Sequence, residues 1–417
     1  MRYFVVVQAP AWSLGPDRCA LESAFAVHLV ELRNRVGPRF AELVLVGPSM
    51  TEADYRAQAD RLAVLDATQT GVRFVPVPCM ALSRAKFLLT RFPATWRWFR
   101  ELFREPCVVQ SGMSTELARP IMFMASLAAR SRGRPVVFMV DMDFRKHAIR
   151  FYRTGQWSLK SFLVNRLVYD PLQWIQLWLA PRLFELCCYK GESLVRDFGG
   201  GRPNVRNFFD TVHAAEDVID EATLATRFAE RRRSRPAALR AVYFGRLASN
   251  KGIDRMIDAV AVARRGGAAV ELRIIGNGEC ADALHAQIAR LGLQNAVTLA
   301  PAVAYGDELF AQLDDCDVAL AAPLIEDTPR AAFDAMARGL PLLAYDITYF
   351  ADLARLSGAV VTTPWPRVDA MADALIALAA DRQRIEAMAT RAIGFARGNT
   401  QAIWLDRRLA WLREVAP

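Results

Sequence analysis

The stretch Pro323-Leu324-Ile325-Glu326-Asp327-Thr328-Pro329-Arg330-Ala331-Ala332-Phe333-Asp334-Ala335-Met336-Ala337-Arg338-Gly339-Leu340-Pro341 reads as one passage from strand to helix. An apolar strand over Val318–Ala321 leads to the carboxylate of Glu326, and a helix follows over Ala331–Ala337. Thr328 suits an N-cap and Pro329 the first helical position, because the cap hydroxyl meets a free amide and proline has none to lose. The open amides of Thr328, Pro329's neighbour Arg330 and Ala331 would then carry the partial positive charge of a helix start, an anion site. Glu326 and Asp334 flank it. Carboxylates accept from sugar hydroxyls and amides donate to phosphate, so the pattern suits a sugar nucleotide. The alternative is a surface acid ahead of a helix that carries one exposed Asp.

The same strand-to-helix unit repeats outward in both directions. Upstream, the strands Ala241–Phe244, Leu272–Ile275 and Val297–Leu299 alternate with helices over Ile253–Arg265 and Ala283–Leu291, and Leu342–Ala344 follows the quoted stretch. The N-terminal half shows the same rhythm: Tyr3–Val7, Leu43–Val46, Phe74–Val77, Cys107–Gln110 and Val136–Val140 as strands, Leu21–Val36 and Pro120–Arg130 as helices. Short β-rich apolar runs alternating with helix-length segments predict doubly wound parallel sheets. A turn-rich, then acidic, then basic passage over residues 200 to 240 separates the halves. The reading is therefore two domains, 1–206 and 207–395, followed by a tail, 396–417, whose Trp404, Leu405, Leu409, Trp411 and Leu412 fall at helical spacing.

Bulk properties bound the function. The 417 residues are 53% hydrophobic and 23% charged, enough for two cores and without a disordered or low-complexity tract. The net charge of +9 suits phosphate ligands or anionic membrane surfaces. The basic run Arg231–Arg235 reads as a solvated helix end, and no nucleic-acid recognition motif occurs. Seven cysteines without a C-x-x-C pair point to buried thiols in a reducing compartment. The first apolar run is too short for a signal peptide, no uncharged spanning run occurs, and a cytoplasmic protein is expected. Leu167 to Leu186, the longest apolar region, predicts a buried or interfacial helix pair.

Four elements of the second half resemble retaining glycosyltransferases of family 4. They are Phe244-Gly245-Arg246-Leu247-Ala248-Ser249-Asn250-Lys251-Gly252, similar to a G-R-L-x-x-x-K-G element; the strand ending Gly276-Asn277-Gly278; the strand and loop Val297 to Val303; and the quoted stretch, similar to E-x7-E with Asp334 in the second place. The resemblance implies a GT-B architecture: two Rossmann-like domains facing a cleft, the last helix crossing back to the first. It implies a nucleoside-diphosphate-sugar donor, transfer to an acceptor hydroxyl with retention, and no metal or other cofactor. By that resemblance Arg246 and Lys251 would neutralise the departing diphosphate, Glu326 would orient the sugar, and Asp334 would hold the ribose. Gly245, Gly276, Gly278 and Val303 would frame the nucleotide, and the turn of Thr328, Pro329, Arg330 and Ala331, through the free amides near it, would mark the β-phosphate site. Bacterial exopolysaccharide, capsule or lipopolysaccharide assembly, on a lipid-linked or oligosaccharide acceptor, is the implied setting. Another GT-B enzyme, inverting or an epimerase, and a non-catalytic GT-B-like binding protein stand as alternatives.

The first half matches less closely. Asp141 stands where such enzymes often carry histidine, and with Gly15 in the first strand-to-helix loop it is expected on the acceptor side. Asp141-Met142-Asp143 also fits the metal-binding D-x-D of GT-A enzymes, or a simple cap. Residues 83–105 interleave six cations and two acids with Trp and Phe. They suit either an anionic membrane interface or an amphipathic helix packed on its own domain.

Overall fold

Near-continuous apolar runs, the mark of strands buried on both faces, build two parallel sheets in this computed structural model. It describes residues 1–416 except 38, 60–61, 79–85, 117 and 234–237. The chain divides into two units. The first holds Met1–Asp141, Leu163–Phe208 and Leu405–Pro417; the second holds Met142–Phe162 and Phe209–Trp404. The sequence reading kept 142–162 with the first domain, whereas this segment groups with the second.

In the first unit, β1 (Arg2–Val6), β4 (Glu42–Gly47), β6 (Val72–Pro76), β7 (Cys107–Gly112), β8 (Val136–Val140), β9 (Leu186–Tyr189) and β10 (Val205–Asn207) pair in the order β10-β9-β8-β7-β1-β4-β6. Every pairing is parallel. A second, antiparallel sheet joins β2 (Trp12–Ser13), β3 (Arg18–Glu22) and β5 (Leu62–Asp66). This corrects the expected helix start at Leu21. Leu21 pairs with Ala63 in the sheet, and the helix begins at Ser23 with the Glu22 carboxylate accepting from the Phe25 amide.

The basic-aromatic stretch turns some of its rings inward and leaves Leu88 and Leu89 exposed. Residues 83–85 lie outside the described residues. Beyond them Phe87, Phe99 and Phe103 are fully buried, with Phe103 edge-on to Phe4 of β1 at 5.1 Å. The expected helix pair over Leu167 to Leu186 is instead a π-helical turn, Asn165–Tyr169, running into one helix, Asp170–Leu183, and then β9. The tail forms the helix Gln401–Val415, and its part from Leu405 groups with the first unit. There Arg35 pairs with Asp406 at 2.7 Å and Arg206 with Glu414 at 3.3 Å.

In the second unit, β11 (Leu239–Phe244), β12 (Val270–Ile275), β13 (Val297–Ala300), β14 (Val318–Ala321), β15 (Leu342–Tyr345) and β16 (Val360–Thr363) pair in parallel in the order β13-β12-β11-β14-β15-β16. The order reverses between β11 and β14. Loops leaving the carboxyl ends of those neighbours part to opposite faces, which is where open α/β sheets bind ligands. The helix Ile253–Arg265 buries Ile253, Met256, Ile257 and Val260 at helical spacing in the core beneath that edge.

Candidate functional site

The loops after β11 and β14 meet at this switch point. The Leu324 amide donates to the Asn250 carbonyl at 2.9 Å, and Lys251 Nζ donates to Asp327 Oδ2 at 2.6 Å. Gly252 is left-handed, with φ +64°, and lies so close to the Ala322 carbonyl that any Cβ there would collide with it. Lys251 is thereby fixed beside the acidic loop. Its charge is already partnered, so an incoming phosphate would share the lysine with Asp327 or displace it.

Glu326 is buried, with only 2% of its surface exposed. Its Oε1 accepts from Thr348 Oγ1 at 3.0 Å and lies 3.1 Å from Arg150 Nη2. Arg150 comes from the helix His147–Arg153 of the segment that groups with this unit, and it too is buried. Its guanidinium lies over the Trp365 ring, 5.2 Å from the centroid, and its Nη1 is buried without a hydrogen-bond partner among the described residues. Burial raises the Glu326 carboxyl above its usual range; Arg150 opposes that shift, and the nearby Asp143 adds to it. Burial likewise lowers Arg150, against the pull of Glu326. Two desolvated charges thus depend on one another.

Asp334 faces a different environment. It is 4% exposed, and Oδ1 accepts from Tyr305 Oη at 3.1 Å. Burial raises its carboxyl to about 7, with the Tyr305 hydrogen bond and Arg330 opposing. Tyr305 belongs to the loop after β13, whose Ala302 amide donates to Asn277 Oδ1 at 3.2 Å. Val303 sits half-buried in that loop.

The expected helix start needs correction. The helix runs Ala331–Ala337, two turns, with Arg330 at the cap position; Thr328 and Pro329 precede it in the loop. The Thr328 amide donates to Asp327 Oδ1 at 3.0 Å, so an Asp side chain satisfies it before any ligand could. Arg330 rather than Thr328 holds the cap position, Pro329 is not helical, and the amides of Arg330 and Ala331 donate to no main-chain carbonyl among the described residues. The glycines also have a role that sequence did not separate from ligand contact. A Cβ on Gly276, at φ +159°, would strike the Gly245 carbonyl, and one on Gly278 the Leu247 carbonyl. They permit loop-on-loop packing, with the Leu247 amide donating to the Asn277 carbonyl at 2.9 Å.

Arg246 stands apart. Its side chain is 72% exposed and lies 3.8 Å from Glu279, while Tyr243 Oη donates to its carbonyl at 2.9 Å. Lys251 and Glu326 therefore come together on adjoining loops, and Arg246 points out from the same strand end. In the first unit Gly15 and Asp141 are exposed. Asp143 lies in the second unit and gives its carboxylate to Arg145 at 2.6 to 3.1 Å. No group of His, Cys, Asp and Glu among the described residues is arranged to hold a metal ion.

Sequence reasoning missed Arg150, Thr348 and Tyr305. Arg150 had one visible signal: a single cation inside the apolar run Ala148-Ile149-Arg150-Phe151-Tyr152. Thr348 and Tyr305 had none.

Residues 227–395 match the family model described as Glycosyl transferases group 1. No curated protein matches the chain in sequence. Among solved structures, Anabaena Alr3699/HepE in complex with UDP is similar at 15% identity and a TM-score of 0.63, covering 99% of this chain and 100% of that one. The same protein in complex with UDP-glucose gives 15% and 0.59, with 99% of each chain covered. WaaG, described as a glycosyltransferase involved in lipopolysaccharide biosynthesis, gives 12% and 0.61, with 100% of each chain covered. The fold is GT-B, two Rossmann-like domains, as the sequence led one to expect.

Proposed function

We propose, for a glycosyltransferase whose group 1 domain spans residues 227–395, that the second unit holds a nucleoside-diphosphate sugar and passes its sugar to an acceptor hydroxyl with retention of configuration. The observation that carries the reading is the meeting of Lys251 and the Glu326 loop at the switch point between β11 and β14. Charge develops on the diphosphate as it departs, and preorganised cations there lower the barrier. Lys251 supplies a fixed ammonium, and Arg246, on its exposed side chain, supplies a guanidinium that can turn toward the same oxygens. Glu326 accepts from sugar hydroxyls, and the unpartnered Arg150 Nη1 beside it donates to an oxygen of the bound sugar or phosphate. Asp334 and Tyr305 hold the ribose end. The Alr3699/HepE structure with UDP-glucose supports a donor of this class.

The acceptor we propose is a lipid-linked or oligosaccharide hydroxyl in surface-polysaccharide assembly, with the protein bound peripherally at the cytoplasmic membrane face. No helix among the described residues is long and apolar enough to cross a membrane. No metal takes part in the proposed reaction. Incubation with nucleotide sugars and candidate acceptors should release nucleoside diphosphate in EDTA, and NMR of the product should show the donor's anomer. Donor-induced thermal stabilisation without nucleotide release would make the protein a binder instead. An inverted product would overturn retention.

A further inference from the structure

The helix Asp170–Leu183 buries polar groups on part of its inner face. Asp170, Gln173 and Gln176 are buried there beside Leu177, Ala180 and Pro181. Gln176 is tied to the backbone of Ser114 in both directions: its Oε1 accepts from the Ser114 amide at 2.9 Å, and its Nε2 donates to the Ser114 carbonyl at 3.1 Å. Asp170 accepts from Arg166 at 3.2 Å. The outward residues are apolar. Leu163, Leu167, Val168, Leu172, Ile175 and Trp178 recur at helical spacing through the preceding π-turn and this helix, and all are exposed, Leu167 by 69% and Trp178 by 51%. Leaving a contiguous apolar stripe in water gives up the stability its burial would bring, unless the outer medium is itself apolar.

The charges around the stripe name that medium. Between Leu163 and Phe184, within the first unit, the one acid is Asp170, on the buried side, against Arg166 and Arg182. Arg182 lies over the exposed Trp178 ring, 3.8 Å from its centroid, and Arg166 over Trp174 at 5.2 Å. Guanidinium stacked on indole at the rim of an apolar face matches the layer where headgroups meet acyl chains. Asp170 and Arg166 within the run oppose crossing, whereas lying flat keeps the polar face toward the protein.

We propose that the outward face of Leu163–Leu183 is a docking surface for an anionic lipid bilayer, with the helix in the interface plane and Arg166 and Arg182 at the headgroups. This deepens the membrane setting proposed above by naming the surface, and it assigns that surface to a different element from residues 86–105, where Phe87, Phe99 and Phe103 are buried.

The test uses the full chain and vesicles of phosphatidylcholine with or without phosphatidylglycerol. Wild-type protein should co-sediment with the anionic vesicles, less so with the neutral ones, and release should follow added salt. Leu167→Gln/Ile175→Gln should weaken that binding by roughly tenfold or more. Both side chains are exposed, so the variant should unfold at the wild-type temperature and release nucleotide from a soluble donor at the wild-type rate. Undiminished vesicle binding by the double variant overturns the surface, and so does equal binding to neutral vesicles. A wild-type dimer that the double substitution separates, with no vesicle binding, would make the occupant a second copy. Failure of nucleotide release in wild type would strike the transfer reading and leave the vesicle result intact.

Discussion

Two buried carboxylates eight positions apart, Glu326 and Asp334, solve the same problem in opposite ways. Burial raises both carboxyls; at Glu326 the facing Arg150 charge opposes the rise, while Asp334 faces the neutral hydroxyl of Tyr305 and holds its proton up to about 7. A full counter-charge fixes an ion deep in the fold. A hydrogen bond from a neutral group leaves a carboxyl that titrates near neutrality. The difference suits their proposed tasks: Glu326 a charge-paired acceptor beside the transferred sugar, Asp334 a group able to accept from or donate to ribose hydroxyls.

The largest expected effect comes from splitting the ion pair. Arg150→Met leaves Glu326 buried without its partner and should cost about 3–5 kcal/mol, or force Glu326 to take up a proton. Arg150→Met/Glu326→Leu should recover most of that stability while remaining inactive. Chemical denaturation beside nucleotide release reads both, and a double variant as unstable as the single would break the pairing argument. Next comes Lys251→Ala, which should lower turnover by roughly 10²-fold. Its half-exposed pair with Asp327 should contribute at most about 1 kcal/mol to stability, so an unfolded variant would mark Lys251 as structural.

Asp334 should leave a pH signature. Its folded pKa lies above its usual 3.8, so between about 4 and 7 the folded state holds a proton that the unfolded state has released. Stability from this group is fully present below about pH 4 and is lost as pH rises toward 7. Asp334→Asn should flatten the unfolding temperature over that window; an unchanged slope would mean that Asp334 is charged throughout. The smallest effect belongs to Tyr305→Phe, at about 1 kcal/mol. Since the tyrosine bond lowers the Asp334 pKa, its loss should move the end of the window upward.

Both parallel sheets were legible because strands buried on two faces are apolar throughout: Val318–Ala321 and Leu342–Tyr345 can do little else. The hairpin of β2 and β3 was not, because Arg18–Glu22 becomes a strand by pairing with Leu62–Asp66, far along the chain. Thr328-Pro329 carried the local chemistry of a helix start, yet the neighbouring Asp327 captures the Thr328 amide and the helix waits until Ala331. The neighbouring places of Lys251 and Glu326 after strand ends were legible because each follows its strand in a fixed local pattern. Arg150 was missed because its partner is distant in sequence, and a lone buried arginine looks the same in sequence as a solvated one. The helix Asp170–Leu183 shows the same limit: an apolar run announces burial or an interface, and only packing tells which face turns outward.

The most direct measurement is nucleoside diphosphate released from a panel of nucleotide sugars by wild type and by the Lys251→Ala and Glu326→Gln variants, with donor affinity measured in parallel. The account predicts release by wild type from at least one donor, loss of about two orders of magnitude in Lys251→Ala, and in Glu326→Gln retained nucleotide binding with impaired transfer. Wild-type release by both variants would contradict it.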